Sequence, residues 1–325
     1  MTTRLADPPA PATVDAWHAV AAAVQAHDTP EDPPIDRRDT AGRLLVPALR
    51  SRHARFGFVE HGDPLVLAGV AAVRLFLDPA NRHAAFLERL AVRPDRRRRG
   101  LGTRLWAAVR AELAAEGRTT VSTMATRGGP GERFAAAHGF TLALPLGFHA
   151  MDVPATVTPA PLPGGYRLVE WTGMVPDEHA DALAVAKSAI EDAPSGDLDQ
   201  RPPAWDAARV REMAEVLLRR DRTLITVAAL APDGTIAALT EMDLPSLTFP
   251  RAFQNDTTVD RRHRGKGLGL AVKTRMLAVL RERHPLVRDV LTAVADDNGP
   301  MLAVNRALGY RLVRPVGLFQ LQVLA

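Results

Sequence analysis

Apolar residues recur at helical spacing twice, in the same context each time. Leu101, Leu105, Val109 and Leu113 stand four apart, and so do Leu268, Val272, Met276 and Leu280. Each series predicts an amphipathic helix with one buried stripe. Three strand-like apolar runs precede each helix. They cover residues 56–59, 65–73 and 84–92 in the first half, and 223–230, 235–242 and 252–259 in the second. Gly62-Asp63 and Asp233-Gly234 supply the first turn in each set. A short apolar strand follows each helix, at 119–124 and 290–294. A further helix then closes on Gly139-Phe140 or Gly309-Tyr310. Helical stretches around 17–25 and 182–190 lie ahead of the strands. Each half therefore reads helix, antiparallel strands, glycine-rich turn, helix, strand, helix, strand.

The turn before each long helix is one motif written twice. The first copy is Val92-Arg-Pro-Asp-Arg-Arg97-Arg-Arg-Gly100-Leu-Gly102, and the second is Val259-Asp-Arg-Arg-His-Arg264-Gly-Lys-Gly267-Leu-Gly269. In both, a valine stands five residues before the arginine of Arg-x-x-Gly-x-Gly. The copies are 167 residues apart in a chain of 325, as internal duplication predicts. Proline and glycine dominate residues 153–165, which read as a linker. The expected domains are thus 1–152, with fewer polar groups at its motif positions, and 166–325, the fuller copy.

A strand that ends in Arg-x-x-Gly-x-Gly before a helix suits a phosphate group. The first N–H groups of a helix lack partners and carry partial positive charge. Anions bind there, and arginine adds a charged fork of donors. A Walker A loop is absent. Leu105 and Val272 occupy the place of the third glycine in a dinucleotide fingerprint, so that reading fails too.

Composition narrows the chemistry. There is no cysteine, which excludes thiolate metal sites, disulfides and a cysteine nucleophile, and fits a reducing, cytoplasmic setting. The first residues lack an apolar signal region, and no stretch has the apolar length of a membrane span. Net charge is +4, from 41 Lys and Arg against 37 Asp and Glu. Two arginine-rich runs suggest nucleic acid at first, but aromatics are only 5% of the chain, so stacking on bases has little support.

The repeated arrangement resembles the GNAT superfamily of acyl-CoA-dependent N-acyltransferases, in a tandem, mycothiol synthase-like form. The resemblance covers both halves. It implies an α/β (α+β) fold of two GNAT domains, each a mixed, mostly antiparallel twisted sheet flanked by helices. It implies acetyl-CoA as co-substrate and a small-molecule primary amine as partner, with no metal, no membrane and no nucleic acid expected; a monomer or a homodimer both fit. Acyl transfer would be direct attack in a ternary complex. A coenzyme A-sensing or nucleic-acid-binding tandem module is the alternative class.

The resemblance also assigns residues. Arg97, Arg98, Arg99, Gly100 and Gly102 in the first copy would hold the coenzyme pyrophosphate, and Arg264, Gly265, Lys266, Gly267, Leu268 and Gly269 would do so in the second. Val92 and Val259 would hydrogen-bond the thioester and pantetheine. Asn298 would contact the pantetheine arm. Its first-half counterpart is Gly128. The family's frequent tyrosine acid falls at Ala135 and Asn305. The family's general base is often a glutamate on the strand before the motif. Alternation along that strand puts Glu88 on the acceptor-facing set with Phe86 and Leu90, and Phe253, Asn255 and Thr257 in the second half. Asp256 then has the opposite parity. Glu241 and Asp243 are carboxylates on the preceding strand. Tyr310 is expected in the core and His263 in solvent, and the acidic loop 191–197 is either a turn or a lid that attracts an amine.

Overall fold

Trp17 and Val20 on one helix, and Leu105 and Val109 on another, pack against opposite faces of one sheet. That sandwich describes the first of two compact units. The computed structural model describes residues 1–60, 63–192 and 194–323. Unit 1 comprises Met1–Leu144, Gly196–Arg201 and Gly317–Ala325; unit 2 comprises Pro145–Ser195 and Pro202–Val316. Gly62 of the first predicted turn and Ala193 of the acidic loop lie outside the described residues, as do the side chains of Glu191 and Asp192. Among the described residues, no helix is long and apolar enough to cross a membrane.

Unit 1 runs β1 (Thr2–Arg4), α1 (Pro11–Asp28), α2 (Arg37–Leu45), β2 (Ser51–Glu60), β3 (Asp63–Phe76), β4 (Ala84–Val92), α3 (Leu101–Ala115), β5 (Thr120–Thr126) and α4 (Pro130–Ala137). The strand β6 (Thr141–Asp152) begins here and ends in unit 2. The sheet order is β1-β2-β3-β4-β5, and then the last part of β12 (Arg311–Gln322). Only β4 and β5 are parallel among the pairs β1–β2, β2–β3, β3–β4 and β4–β5. Successive residues of β3 feed opposite cores: Ala71 and Val73 meet α3, while Val70 and Ala72 meet α1. The period of two places them so.

Unit 2 repeats the plan with β7 (Arg167–Thr172), α5 (Ala180–Ser188), α6 (Ala207–Arg219), β8 (Thr223–Leu230), β9 (Ile236–Leu244), β10 (Arg251–Val259), α7 (Leu268–Arg283), β11 (Asp289–Ala295) and α8 (Gly299–Ala307). Its sheet order is β6-β11-β10-β9-β8-β7, with β10 and β11 parallel. Leu268, Val272, Met276 and Leu280 are buried on one face, and Leu183, Ala184 and Val210 on the other. Both units have the mixed, mostly antiparallel α/β architecture that the resemblance implies.

The stretch 153–165 packs on unit 2. Val153, Val157 and Leu162 lie against its core, and the Ala160 N–H donates to Thr274 Oγ1 at 3.0 Å. β4 matches the expected run 84–92 residue for residue. β1, α2, α6 and β7 have weak or short apolar patterns and are visible only in the fold.

Candidate acyl-CoA site

In each unit the two parallel strands pair for four residues and then part. Ala84–Leu87 of β4 pairs with Thr120–Thr123, and Arg251–Gln254 of β10 pairs with Asp289–Thr292. Both long strands continue five residues further with that edge open. The Arg93 N–H donates to Ala68 O, and the Asp260 N–H to Ala237 O, each at 2.9 Å. Val92 opposite Gly69 and Val259 opposite Ala238 are therefore non-hydrogen-bonded pairs. Their own N–H and C=O groups point to the open edge. Thr257 shares that parity with Val259. The two carbonyls are taken, by Arg97 Nε at 3.1 Å and by Arg264 Nε at 3.2 Å. Each motif arginine thus braces its turn onto the strand end, and the valine N–H remains at the edge.

The turn then reverses into the long helix. Gly100 and Gly267 are the N-caps of α3 and α7, both at φ 76°, with no side-chain cap. That left-handed backbone favours glycine. Arg98 (φ 60°) and Gly265 (φ 76°) hold the matching earlier position. A Cβ added at Gly100, Gly265 or Gly267 would meet nothing within 4 Å, so the space before both helix ends is open. Backbone conformation, and not crowding, requires those glycines. The open space, unpaired helix N–H groups and a free strand edge together fit a pyrophosphate with its pantetheine arm.

The charges around the two turns differ. Arg97 makes a two-pronged ion pair with Asp28 of α1, both bonds 2.7 Å, which holds the Asp28 carboxyl below its usual range. Arg98 and Arg99 are exposed and have no partner among the described residues. In unit 2, Lys266 donates to Tyr166 Oη at 2.9 Å, and that hydroxyl also meets His263 Nδ1 at 2.8 Å. Arg262 pairs with Asp260, whose carboxyl falls to about 2 chiefly through that hydrogen bond. The second glycines differ as well. A Cβ at Gly102 would meet Phe134 of α4 at 3.1 Å, whereas at Gly269 the nearest atom is Val259 Cγ2 at 3.5 Å.

The polar residues of the second copy have structural partners. Asn298 caps α8, its Oδ1 accepting from the Met301 N–H at 3.2 Å. Asn305 is buried, and its Oδ1 accepts from Lys273 Nζ at 2.8 Å. Lys273 lies 5.0 Å from the Tyr310 ring centre, and burial pushes its ammonium down to about 7. Tyr310 is in the core, as expected. In unit 1 the corresponding group is apolar: Trp106, Ala135 and Phe140.

Both long strands bulge beside the point where the sheet opens. β4 slips against β3 so that Ala72 faces Arg89 and Val73 faces Leu87, leaving Glu88 extra. β10 slips against β9 between Gln254 and Thr257. A bulge breaks strict alternation. It corrects the parity expected for Asp256, whose carboxylate joins Glu241 on one face, both held by Lys187. Lys187 Nζ is 2.9 Å from Asp256 Oδ2 and also bonds Glu241 Oε2. The Trp205 ring covers the same ammonium at 4.5 Å. The Lys187 side chain is 0% exposed and Glu241 2%, while Asp256 is 34% exposed. Burial raises the Glu241 carboxyl above its ordinary value, opposed by Lys187. Lys187 is itself raised by the two carboxylates despite burial. Asp243 binds Arg222 and accepts from Asn255 Nδ2 at 3.0 Å. In unit 1, Glu88 remains 33% exposed, with His53 Nε2 at 3.2 Å and Arg74 Nε at 3.6 Å.

Comparison with known proteins agrees with this fold. The acetyltransferase (GNAT) family matches residues 17–140. No curated protein matches the sequence. Among solved structures, a tandem GNAT protein from the clavulanic acid biosynthesis pathway is similar over 100% of this chain and 99% of its own, at 26% identity and TM-score 0.84. A GCN5-related N-acetyltransferase from Sphaerobacter thermophilus is similar over 100% and 96%, at 20% identity and TM-score 0.71. Residues 17–140 thus form a domain of the GNAT acetyltransferase family, and the chain as a whole has the tandem GNAT fold.

Proposed function

We propose that the protein transfers an acetyl group from acetyl-CoA to a primary amine of a small molecule, by direct attack within a ternary complex. The family implies acyl transfer from an acyl-CoA. The observation that carries the finer reading is the open edge of each long strand, ending at a glycine-capped helix. Amides of Val92 in unit 1, and of Thr257 and Val259 in unit 2, stand ready to donate to a thioester oxygen as it gains negative charge. The amine nitrogen bonds to the carbonyl carbon, the C–S bond breaks, and the amine's surplus proton leaves through a nearby carboxylate. Zero cysteines suits this direct route and a reducing cytoplasm.

Unit 2 is proposed as the amine-accepting half. Glu241, Asp243 and Asp256 stand there with Lys187 and Arg222, and Arg209 lies on the Trp205 ring that also covers Lys187. Of the three carboxylates Asp256 is the one open to solvent, where an ammonium can reach it. Asp256 is the carboxylate within reach of such an amine, and Glu241 acts through Lys187 as a positioning group. In unit 1, Glu88 is the exposed carboxylate at the matching place.

Gly100→Val and Gly267→Val, each in the full chain, test the reading. A β-branched residue is strained at φ 76° and disturbs the helix N-terminus. Calorimetry with acetyl-CoA should show loss of one binding event per variant, and Gly267→Val should abolish release of free coenzyme A with an amine panel. Unchanged binding in both variants would refute the cradle. Binding without turnover across the panel would favour the coenzyme A-sensing alternative.

A further inference from the structure

Equivalent positions of the two units carry opposite charge. Val73 opposite Leu87 matches Met242 opposite Gln254, and Ala71 opposite Leu90 matches Thr240 opposite Thr257. By this equivalence Arg74 stands where unit 2 has Asp243, and Glu88-Arg89 stands where unit 2 has Asn255-Asp256. At two of these positions, 74 and 89, unit 1 thus has a base where unit 2 has an acid.

The basic groups there are incompletely partnered. Arg89 is partly buried and has no hydrogen bond or ion pair among the described residues. Arg74 Nε is buried without a hydrogen-bond partner. Its guanidinium lies 5.0 Å from the Phe76 ring centre and 5.3 Å from that of Phe86. His53 is buried, with its Nε2 3.2 Å from Glu88 Oε2 but without hydrogen-bond geometry. Arg43, on α2, pairs with Asp39 at 2.9 Å. Among the described residues Glu88 is thus the carboxylate acting on both Arg74 and Arg89, with Asp39 shared between Arg43 and Arg89, so one positive charge is in excess. Burial pushes both guanidiniums below their ordinary value, with Arg43 adding repulsion. Leaving cationic groups desolvated and unmatched is unfavourable.

We propose that the β4 bulge of unit 1 binds a small molecule through a carboxylate group, gripped by Arg74 and Arg89 beside Glu88. A planar carboxylate matches the guanidinium fork with two parallel hydrogen bonds. A single negative charge completes the balance. A phosphate dianion would overfill it and face Glu88. The site is adjacent to the acyl-CoA edge but does not depend on acyl transfer.

The test is a heteronuclear NMR titration of the full chain without acetyl-CoA, at constant ionic strength. Sodium propionate is the probe, with n-propylammonium chloride and inorganic phosphate as comparators. Propionate should saturate shifts of the arginine Nε–H resonances, including those lost in Arg74→Gln and Arg89→Gln. Arg89→Gln should weaken binding at least about tenfold, and Arg89→Lys, which keeps the charge and loses the fork, by about three- to tenfold. Glu88→Gln should tighten it by about three- to tenfold, because a competing negative charge goes. No saturable shift up to about 100 mM propionate, a weight of affinity beyond any specific contact, would overturn the proposal. So would tighter binding of phosphate or propylammonium, or weaker propionate binding in Glu88→Gln. The tightening expected of Glu88→Gln has no counterpart in a misfolded variant.

Discussion

Lys273→Met is a demanding test of the second unit's interior. Lys273 is 2% exposed, and the acceptor resolved for its ammonium is Asn305 Oδ1 at 2.8 Å. Its pKa is about 7, against an ordinary 10.5. The unfolded chain therefore binds this proton more tightly than the folded one. Between about pH 7 and 10.5 the unfolded state holds more protons, so stability rises with pH across that window and is flat below it. At about 1.4 kcal/mol per pH unit, the penalty is about 5 kcal/mol at pH 6 and about 2 kcal/mol at pH 9. Methionine removes it at both. The substitution also orphans Asn305 Oδ1, which costs about 1–3 kcal/mol. The net expectation is a variant more stable by about 2–4 kcal/mol at pH 6 and near neutral at pH 9. Urea unfolding followed by pulsed hydrogen exchange reads α7 and α8 apart from unit 1. A difference between wild type and variant that does not change from pH 6 to pH 9 would refute the reasoning. Unit 1 supports the direction, since its helix carries Trp106 at the same distance from the capping glycine and packs it on Phe140 at 5.3 Å.

Other outcomes follow from the same contacts. Lys187→Met leaves Glu241 buried without its cation and should lower stability by about 3–5 kcal/mol; Lys187→Met with Glu241→Gln should recover much of that in thermal denaturation. Asn298→Ala removes the α8 cap and should cost about 1 kcal/mol, read as a lower urea midpoint with an unchanged slope. Asp28→Asn breaks a pair that is partly exposed on both sides, so its stability effect should stay under about 1 kcal/mol, and any loss of stability should be absent once pH falls low enough to protonate Asp28 in the wild type.

The candidate cradle was legible because its signals are local. A valine, an arginine five residues on and two glycines need only the turn they form, and both copies adopt the same φ of 76° at the capping glycine. The helix stripes at Leu101 and Leu268 were legible for the same reason. The hydrogen-bond partners of Asn298 and Asn305 were not, because each depends on what stands nearby in space. Met301 N–H takes one and Lys273 takes the other. Lys187 offered no signal at all on α5, where it looks like an ordinary surface lysine four residues after Leu183. Only packing shows that it sits between two carboxylates and an indole.

By itself, the sequence determined the duplication, the order of the long strands and helices, the glycine turns, and the absence of any cysteine side chain. These are properties of short windows and of comparison between them. Tertiary structure decided three further things. It set the bulges, each adding one residue against its neighbour strand, and so placed Asp256 beside Glu241 and put Glu88 and Arg89 at the opening. It assigned the two ends of the long strands β6 and β12 to different units, although each is one unbroken stretch of chain. It also placed Arg74 and Arg89 of unit 1 at positions equivalent to Asp243 and Asp256 of unit 2. Register and cross-strand neighbours arise from contacts between residues distant along the chain, and one residue of slip reverses which face a side chain occupies. A one-dimensional pattern carries no record of that slip.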